Sequence, residues 1–173
     1  MSLFSGIHYD FDPKTPAELS ALSDLIVVGR IVDIQQGRTF EIPGEEGSSF
    51  DSLLLRLRVQ QVISPAAKTA PGDDVFVELP TSGGISASTY DAAAPKQATV
   101  LVYLVDLVSP GPKDDPQLVA VSEAWRQAGT VMEPTNPQSF IIGSDERILE
   151  VLSHGVSDSS SLEAYLPPGA RLQ

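Results

Sequence analysis

The sequence predicts an α+β fold that is mainly β, in which short strands form a small barrel or sandwich. Apolar and polar residues alternate at Leu55, Leu57 and Val59, the stretches 25–34 and 98–105 are intensely apolar, and helix signals flank the strands. The length of 173 residues is ordinary for one domain. We therefore predict one domain over residues 1–173, with the barrel over about residues 23–142 and a C-terminal helical segment over about residues 144–166.

The N-terminal helix is predicted from its first turn. Thr15 is a suitable N-cap, Pro16 fits the first helical position, and Glu18 completes a capping box. We expect a short helix over about residues 16–23.

Strands are predicted where branched apolar residues recur between turn residues. The stretch 24–34 is apolar on both parities, which indicates burial on both faces, and Gly29 within it indicates a bulge or sharp bend. The alternation in 53–63 slips by one residue at Gln60, which also indicates a bulge. The stretch 97–108 is the expected central strand. Further strands are expected at 74–79, 117–122, 129–132 and 139–142.

Two long connections interrupt the strands. Residues 35–52 contain three glycines and a proline, and they are predicted to form a mobile hairpin loop or a protruding arm. Residues 81–95 are small and rich in Gly, Ser and Ala, so they are predicted to form a second loop.

The C-terminal part changes to a helical period. Ser144 is a candidate N-cap, Asp145 and Glu146 suit the first turn, and Gly155 is a candidate stop. This pattern predicts one helix over about residues 144–155. A second short helix is expected over about residues 159–166, before two prolines.

The charge argues against several partners. Eleven basic residues stand against 23 acidic ones, and the net charge is −12. Proteins that bind nucleic acid need a basic face, whereas the lysines here are scattered. We therefore expect no nucleic acid and no anionic membrane surface as partner. The absence of cysteine excludes disulfides, thiol catalysis and cysteine-based metal sites.

No stretch has the length of a transmembrane helix, and the N-terminus shows no basic region followed by an apolar one. The residues Met1, Ser2 and Leu3 are typical of a leader added for expression. We therefore expect that a native signal peptide or lipid anchor has been removed.

Residues 23–32 resemble the first barrel strand of a group of bacterial exported domains. The alternating strand that ends at Ser64, Gly-Asp-Asp-Val-Phe-Val at 72–77 and Leu-Val-Tyr-Leu at 101–104 continue the resemblance. The pattern is similar to the OB-type barrel of netrin-like and tissue-inhibitor-like modules. The resemblance implies an OB-like β-barrel and an exported location, and it implies no site residues. Because netrin-like modules are usually held by disulfides, the relationship would be architectural.

One short pattern suggests a metal site. In an extended segment His8, Asp10 and Asp12 would share a face, and their imidazole and carboxylate groups suit a divalent cation. The competing interpretation is a polar terminal segment whose aromatic residues tuck onto the domain.

Other chemical constellations have simpler structural explanations. The acidic residues Asp73, Asp74, Asp114 and Asp115 lie in turns, and so do Glu45, Glu46 and Asp51. A serine triad would have to use His8 or His154, and no Gly-x-Ser-x-Gly elbow is present. The Gly-rich residues 81–84 lack the lysine of a phosphate loop. Trp125, with Arg126 beside it, is either a core residue or a partner-binding edge.

The sequence therefore predicts no catalytic, cofactor-binding or metal-binding residue and no cofactor. We expect a non-enzymatic binding or structural module that is exported or surface-tethered and contacts a protein or a cell-wall component. Two alternatives stay open. One is a metal- or carboxylate-dependent enzyme that uses His8, Asp10 and Asp12, and the other is a cytoplasmic regulatory subunit.

Overall fold

The computed structural model describes residues 14–42, 44, 47–64, 69–81, 85–107, 117–143, 148–151 and 161–172. Within them the chain is α+β and mainly β, as the sequence predicts. Short 3₁₀ helices lie at Pro137–Ser139 and Leu162–Tyr165. The strands and helices are β1 Leu25–Glu41, β2 Ser49–Ser64, β3 Asp74–Pro80, β4 Thr99–Asp106, β5 Leu118–Val121, β6 Val131–Pro134, β7 Phe140–Gly143, β8 Ile148–Val151, α1 Pro16–Leu22, α2 Ala87–Ala93 and α3 Glu123–Gln127.

The eight strands found in the described residues pair in the order β5-β1-β2-β3-β6-β4-β7-β8, and β1 also pairs with β4. The contact between β3 and β6 is parallel, and the other pairings are antiparallel. The long strands β1 and β2 form the most extensive pairing, from Ile26 opposite Ser64 to Glu41 opposite Ser49. Since β4 pairs with β1, β6 and β7, its predicted central position is confirmed.

The first five residues of β1 and most of β4 are buried on both faces, as the apolar residues on both parities predict. Alternate residues of each strand enter two different clusters of buried side chains. The main core includes Leu25, Val27, Leu55, Leu57, Val77, Tyr90, Val100, Val102, Leu104 and Phe140. The second core consists of Leu19, Ile26, Val28, Leu101, Tyr103, Ile141, Leu162 and Leu166.

The bulge predicted at Gln60 and the irregularity predicted at Gly29 are the same feature. Val28 pairs with Gln61 but Gly29 pairs with Val59, so Gln60 is the extra residue. A Cβ atom at position 29 would lie 2.5 Å from the carbonyl oxygen of Arg58. Glycine is needed there because the neighbouring backbone occupies the space of a side chain.

The predicted N-terminal helix is confirmed as α1. The Thr15 hydroxyl accepts from the backbone N–H of Glu18, and the Glu18 carboxylate accepts from the N–H of Thr15 at 2.7 Å. This reciprocal capping box satisfies two backbone donors that a helix start leaves without a partner. Leu19 then enters the second core.

Residues 35–52 are predicted to form a mobile hairpin loop or a protruding arm, and the structure shows a hairpin made mostly of paired strand and not of loop. Strand β1 continues to Glu41 and β2 begins at Ser49, so most of this stretch is a paired hairpin. Strand β5 pairs alongside this extension, with Ala120 opposite Thr39. The hydrogen bonds to two neighbours outweigh the turn propensity of the glycines.

The prediction of a loop over residues 81–95 misses α2. The Ser86 side chain caps this helix by accepting from the N–H of Thr89. Tyr90 is buried in the main core, and Asp91 accepts a hydrogen bond from the N–H of Ile34 at 2.8 Å. Burial of one tyrosine thus stabilises a helix too short to form alone.

The helix predicted over residues 144–155 is also wrong where the structure describes it. Residues 148–151 form β8, in which Val151 lies opposite Ile141 and Glu150 opposite Ile142. Pairing with the open edge of β7 overrides the helical spacing of the apolar residues. The second predicted helix, at 159–166, is a 3₁₀ helix at Leu162–Tyr165.

Candidate functional site

A bulge in β1 places a buried arginine on the face of the sheet away from the main core. Gln36 pairs with Leu53 and Thr39 pairs with Asp51, so Gly37 and Arg38 together oppose Ser52. Such a two-against-one arrangement changes the direction of the side chain it carries. The backbone N–H of Arg38 donates to the Ser52 hydroxyl at 2.7 Å, which fixes the bulge.

The side chain of Arg38 forms a buried ion pair with Glu78 of β3. Its Nε donates to both carboxylate oxygens at 3.0 Å, and its Nη2 donates to Oε2 at 2.6 Å. The Ser52 hydroxyl donates to Oε1 of the same carboxylate. Arg38 and Glu78 are each only 7% exposed, so the pair depends on these hydrogen bonds to offset desolvation.

Glycine at position 37 makes room for this pair. A Cβ atom there would collide with the Ser52 hydroxyl and lie 3.2 Å from Oε1 of Glu78. Any larger residue would therefore displace the two groups that hold the Arg38 side chain.

Aromatic rings cover the guanidinium of Arg38. Its central carbon lies 5.0 Å from the ring centroid of Phe40 and 5.5 Å from that of Trp125. Phe40 in turn stacks on Phe50, with centroids 5.3 Å apart and planes inclined by 20°. These distances fall within the range of cation–π contacts.

Helix α3 is bound to the bulge by its N-cap. The Ser122 hydroxyl accepts from the N–H of Trp125 at 3.1 Å and donates to the carbonyl of Gln36 at 2.6 Å. The backbone N–H of Ser122 donates to the carbonyl of Gly37 at 3.1 Å. The position of Trp125 is therefore tied to the same bulge that carries Arg38.

Two N–H groups of this cluster have no acceptor. Nη1 of Arg38 and Nε1 of Trp125 are buried, and neither donates a hydrogen bond to any of the residues that the structure describes. Buried donors are nearly always paired in native proteins, so each unpaired group calls for an explanation. We name the cluster of Arg38, Ser52, Glu78 and Trp125 the arginine site.

Glu133 of β6 borders the arginine site. Because Val77 lies opposite Met132 in the parallel pair, Glu78 and Glu133 follow on the same face of the neighbouring strands. Partial burial and the nearby charge of Glu78 raise the pKa of the Glu133 carboxyl, while the charge of Arg38 acts in the opposite direction. Folding therefore disfavours the ionised form of the Glu133 carboxyl relative to its protonated form.

We expect Glu133→Gln to raise the free energy of unfolding at pH 7. A group whose pKa is raised by folding contributes stability below its unfolded pKa and loses it as pH rises through the folded value. Because Glu133 keeps much of its surface in contact with water, the gain should stay below about 1 kcal/mol and should vanish below about pH 4. Urea unfolding of both proteins between pH 3 and pH 8 measures the difference.

Glu163→Gln is the control for net charge, since it removes one negative charge from an exposed side chain of the C-terminal 3₁₀ helix. Equal stability of wild type and Glu133→Gln at every pH would contradict the proposed repulsion between Glu78 and Glu133.

Several residues weighed from the sequence lie outside the described residues. These are His8, Asp10, Asp12, Glu45, Glu46, Asp114, Asp115, His154 and residues 82–84. The arrangement of His8, Asp10 and Asp12 therefore stays a prediction. In the part of the chain that the structure describes, no three His, Asp or Glu side chains come together as a metal-binding group.

The described acidic residues have ordinary partners. Asp74 pairs with Arg58 at 2.6 Å, and Asp73 accepts from the N–H of Ala70 at 2.8 Å. Asp51 accepts from the Thr39 hydroxyl at 2.7 Å. Asp73 lies in a turn as expected from the sequence, whereas Asp74 begins β3 and Asp51 lies within β2.

Trp125 belongs to neither core cluster, although one expectation placed it in the core. Its side chain is half-buried, and the guanidinium that contacts its ring is that of Arg38. Arg126 is exposed and lies 3.3 Å from Glu123.

Sequence reasoning missed Arg38, Ser52, Glu78 and Glu133. Glu78 and Glu133 occupy the polar positions of alternating strands, which normally face water. The one available signal was Gly37 followed by an arginine, and it was interpreted as part of a loop.

No protein family model, curated protein or solved structure matches this chain. Among the described residues, no helix has both the length and the apolar character needed to cross a membrane.

Proposed function

We propose that this chain is a non-enzymatic binding module that contacts a protein or cell-wall partner at the arginine site. The observation that carries the proposal is the pair of buried N–H groups, on Arg38 and Trp125, for which the described residues supply no acceptor. Leaving such a donor unpaired costs about 1–3 kcal/mol, and a bound partner that supplies an acceptor recovers that cost.

The proposed scaffold is an OB-like barrel. The pairings run from β1 through β2, β3, β6 and β4, and the additional pairing of β4 with β1 supports closure. The series of five strands with one parallel contact is consistent with a Greek-key barrel. Helix α2 places Tyr90 in the main core, as expected of a segment that covers one end of a barrel.

The hydrogen bonds of Glu78 favour a role in holding Arg38 over a role as catalytic acid. General acid catalysis by a carboxyl pair requires one group that is free to exchange a proton with substrate. Glu78 is instead bonded to Arg38 and Ser52. Its carboxylate is committed to holding Arg38 in place, and this is the part expected of a rigid recognition site.

The exported or surface-tethered location belongs to the same proposal, and the resemblance of residues 23–32 to exported domains supports it. A cell-envelope partner would follow from that location. The gene region upstream of residue 1 tests the exported location directly. A signal peptide or lipobox encoded there would support export, and a cytoplasmic domain encoded there in the same reading frame would oppose it.

Binding is tested by immobilising the wild-type protein and exposing it to purified envelope proteins and isolated cell wall from a bacterium that encodes it. We expect retention of a component that Trp125→Ala no longer retains. Arg126→Ala is the matched control, because Arg126 is exposed on the same helix and lies outside the arginine site. Release of a chemically altered partner would show that the module is an enzyme.

A further inference from the structure

We infer that the arginine site recognises an uncharged amide carbonyl, supplied by an extended basic segment of a partner protein. The inference rests on the proposed binding function and names the chemistry of the ligand. Its basis is the juxtaposition of the unpaired Nη1 of Arg38 and Nε1 of Trp125 beside the carboxylates of Glu78 and Glu133.

The two unpaired donors belong to side chains in direct contact. The guanidinium of Arg38 lies 5.5 Å from the centroid of the Trp125 ring. Both side chains are positioned from the same bulge, Arg38 by Ser52 and Trp125 by Ser122. A carbonyl oxygen has two lone pairs and is therefore able to accept hydrogen bonds from two donors.

The surrounding charge selects a neutral acceptor. Glu78 already neutralises Arg38, and Glu133 adds a further carboxylate on the same face. An incoming carboxylate or phosphate would therefore meet net negative charge, in a chain whose net charge is −12. An amide carbonyl accepts the same hydrogen bonds without this repulsion.

An amide also carries a donor that the arginine site can use. Glu133 is exposed and lies beside Glu78, where its carboxylate can accept the N–H of the same peptide group. Acceptor and donor together distinguish a peptide group from an ester or a ketone. The net charge of −12 favours a segment that carries lysine or arginine near this group.

Access to the unpaired donors requires a small displacement of Trp125. Its indole is half-buried, and it is carried by the five-residue helix α3. The neighbouring Arg126 and Gln127 are exposed. Binding should therefore change the surroundings of Trp125 while the strands that hold Arg38 stay in place.

Trp125 is the only tryptophan of the chain, so its fluorescence reports directly on the arginine site. The full chain is titrated with N-methylacetamide, with sodium acetate, with methyl glucoside, which carries no amide, and with the peptide acetyl-Lys-Ala-Lys-amide. We expect a saturable shift in emission with N-methylacetamide and with the peptide. At low salt the peptide should bind about tenfold more tightly than N-methylacetamide does, and at high salt this difference in affinity should disappear.

Variants separate recognition from folding. Arg38→Lys keeps the charge but removes Nη1, and it should weaken peptide binding about tenfold or more. Trp125→Phe keeps an aromatic ring but removes the indole N–H with its five-membered ring, and it should weaken binding by a similar factor, measured by calorimetry. Arg126→Lys is the control and should bind as wild type does. Circular dichroism checks that each variant is folded.

Each other outcome overturns the inference in a recognisable way. Tighter binding of acetate would identify an anion site, and binding of methyl glucoside without the peptide would identify a sugar site. No saturable response to any probe would mean that the two donors serve the folded chain alone. If the wild-type protein retains an envelope component but does not bind the peptide, only the amide inference is wrong. If the wild-type protein retains no envelope component, the proposed function itself is wrong.

Discussion

Arg38→Met is expected to lower the free energy of unfolding by about 3–5 kcal/mol. The substitution keeps a long side chain between Phe40 and Trp125 but leaves the buried carboxylate of Glu78 without its cation. Ser52 alone then remains as its hydrogen-bond donor in the arginine site. Urea unfolding followed by circular dichroism measures the loss.

The control is Arg126→Met, which breaks an exposed ion pair with Glu123. Exposed pairs contribute little, so this change should stay within about 0.5 kcal/mol of wild type. The double variant Arg38→Met with Glu78→Leu removes both buried charges and should recover much of the loss. If Arg38→Met alone changed the free energy of unfolding only slightly, water would have to reach the Glu78 carboxylate, which contradicts its exposure of only 7%.

The arginine site could not be predicted from the sequence, because its residues come together only when the strands pair. Arg38, Ser52 and Glu78 lie on three strands and are far apart along the chain. Residues 35–52 carry the glycines and the proline of a typical loop, whereas in the structure residues 35–41 and 49–52 belong to two paired strands. Gly37 serves a close approach to Ser52 and Glu78, and a single sequence does not distinguish that role from a turn.

Features set by neighbouring residues were predicted correctly. The capping box of Thr15 and Glu18 depends on residues three apart, and the structure confirms it. The slip in alternation at Gln60 is visible in the sequence because each side chain of a strand alternates between faces. The close approach that requires Gly29 was signalled by a glycine inside an apolar strand.

Local propensity failed where tertiary pairing decided the outcome. Residues 148–151 have the apolar spacing of a helix, but they pair with β7. The opposite error occurred at 87–93, where small residues suggested a loop and burial of Tyr90 holds a helix. In both places a contact distant in sequence outweighs a preference of a fraction of a kcal/mol per residue.

Leu101→Ala and Leu104→Ala are each expected to lower the free energy of unfolding by about 2–5 kcal/mol. Both leucines lie on β4 with no exposed surface, but Leu104 faces the main core and Leu101 faces the second core. Similar losses would show that the second core stabilises the chain as much as the first. Val119→Ala, at a 57% exposed position, is the control and should change stability by less than about 0.5 kcal/mol.

A loss below about 1 kcal/mol for Leu101→Ala would instead mean that the cover of the second core opens easily. That cover includes the C-terminal 3₁₀ helix, whose Leu162 is fully buried against the same cluster. The Tyr103 hydroxyl donates to the carbonyl of Tyr165 at 2.5 Å, so a buried polar group also depends on this segment. Leu162→Ala should therefore be non-additive with Leu101→Ala and additive with Leu104→Ala, because only the first pair shares a cluster.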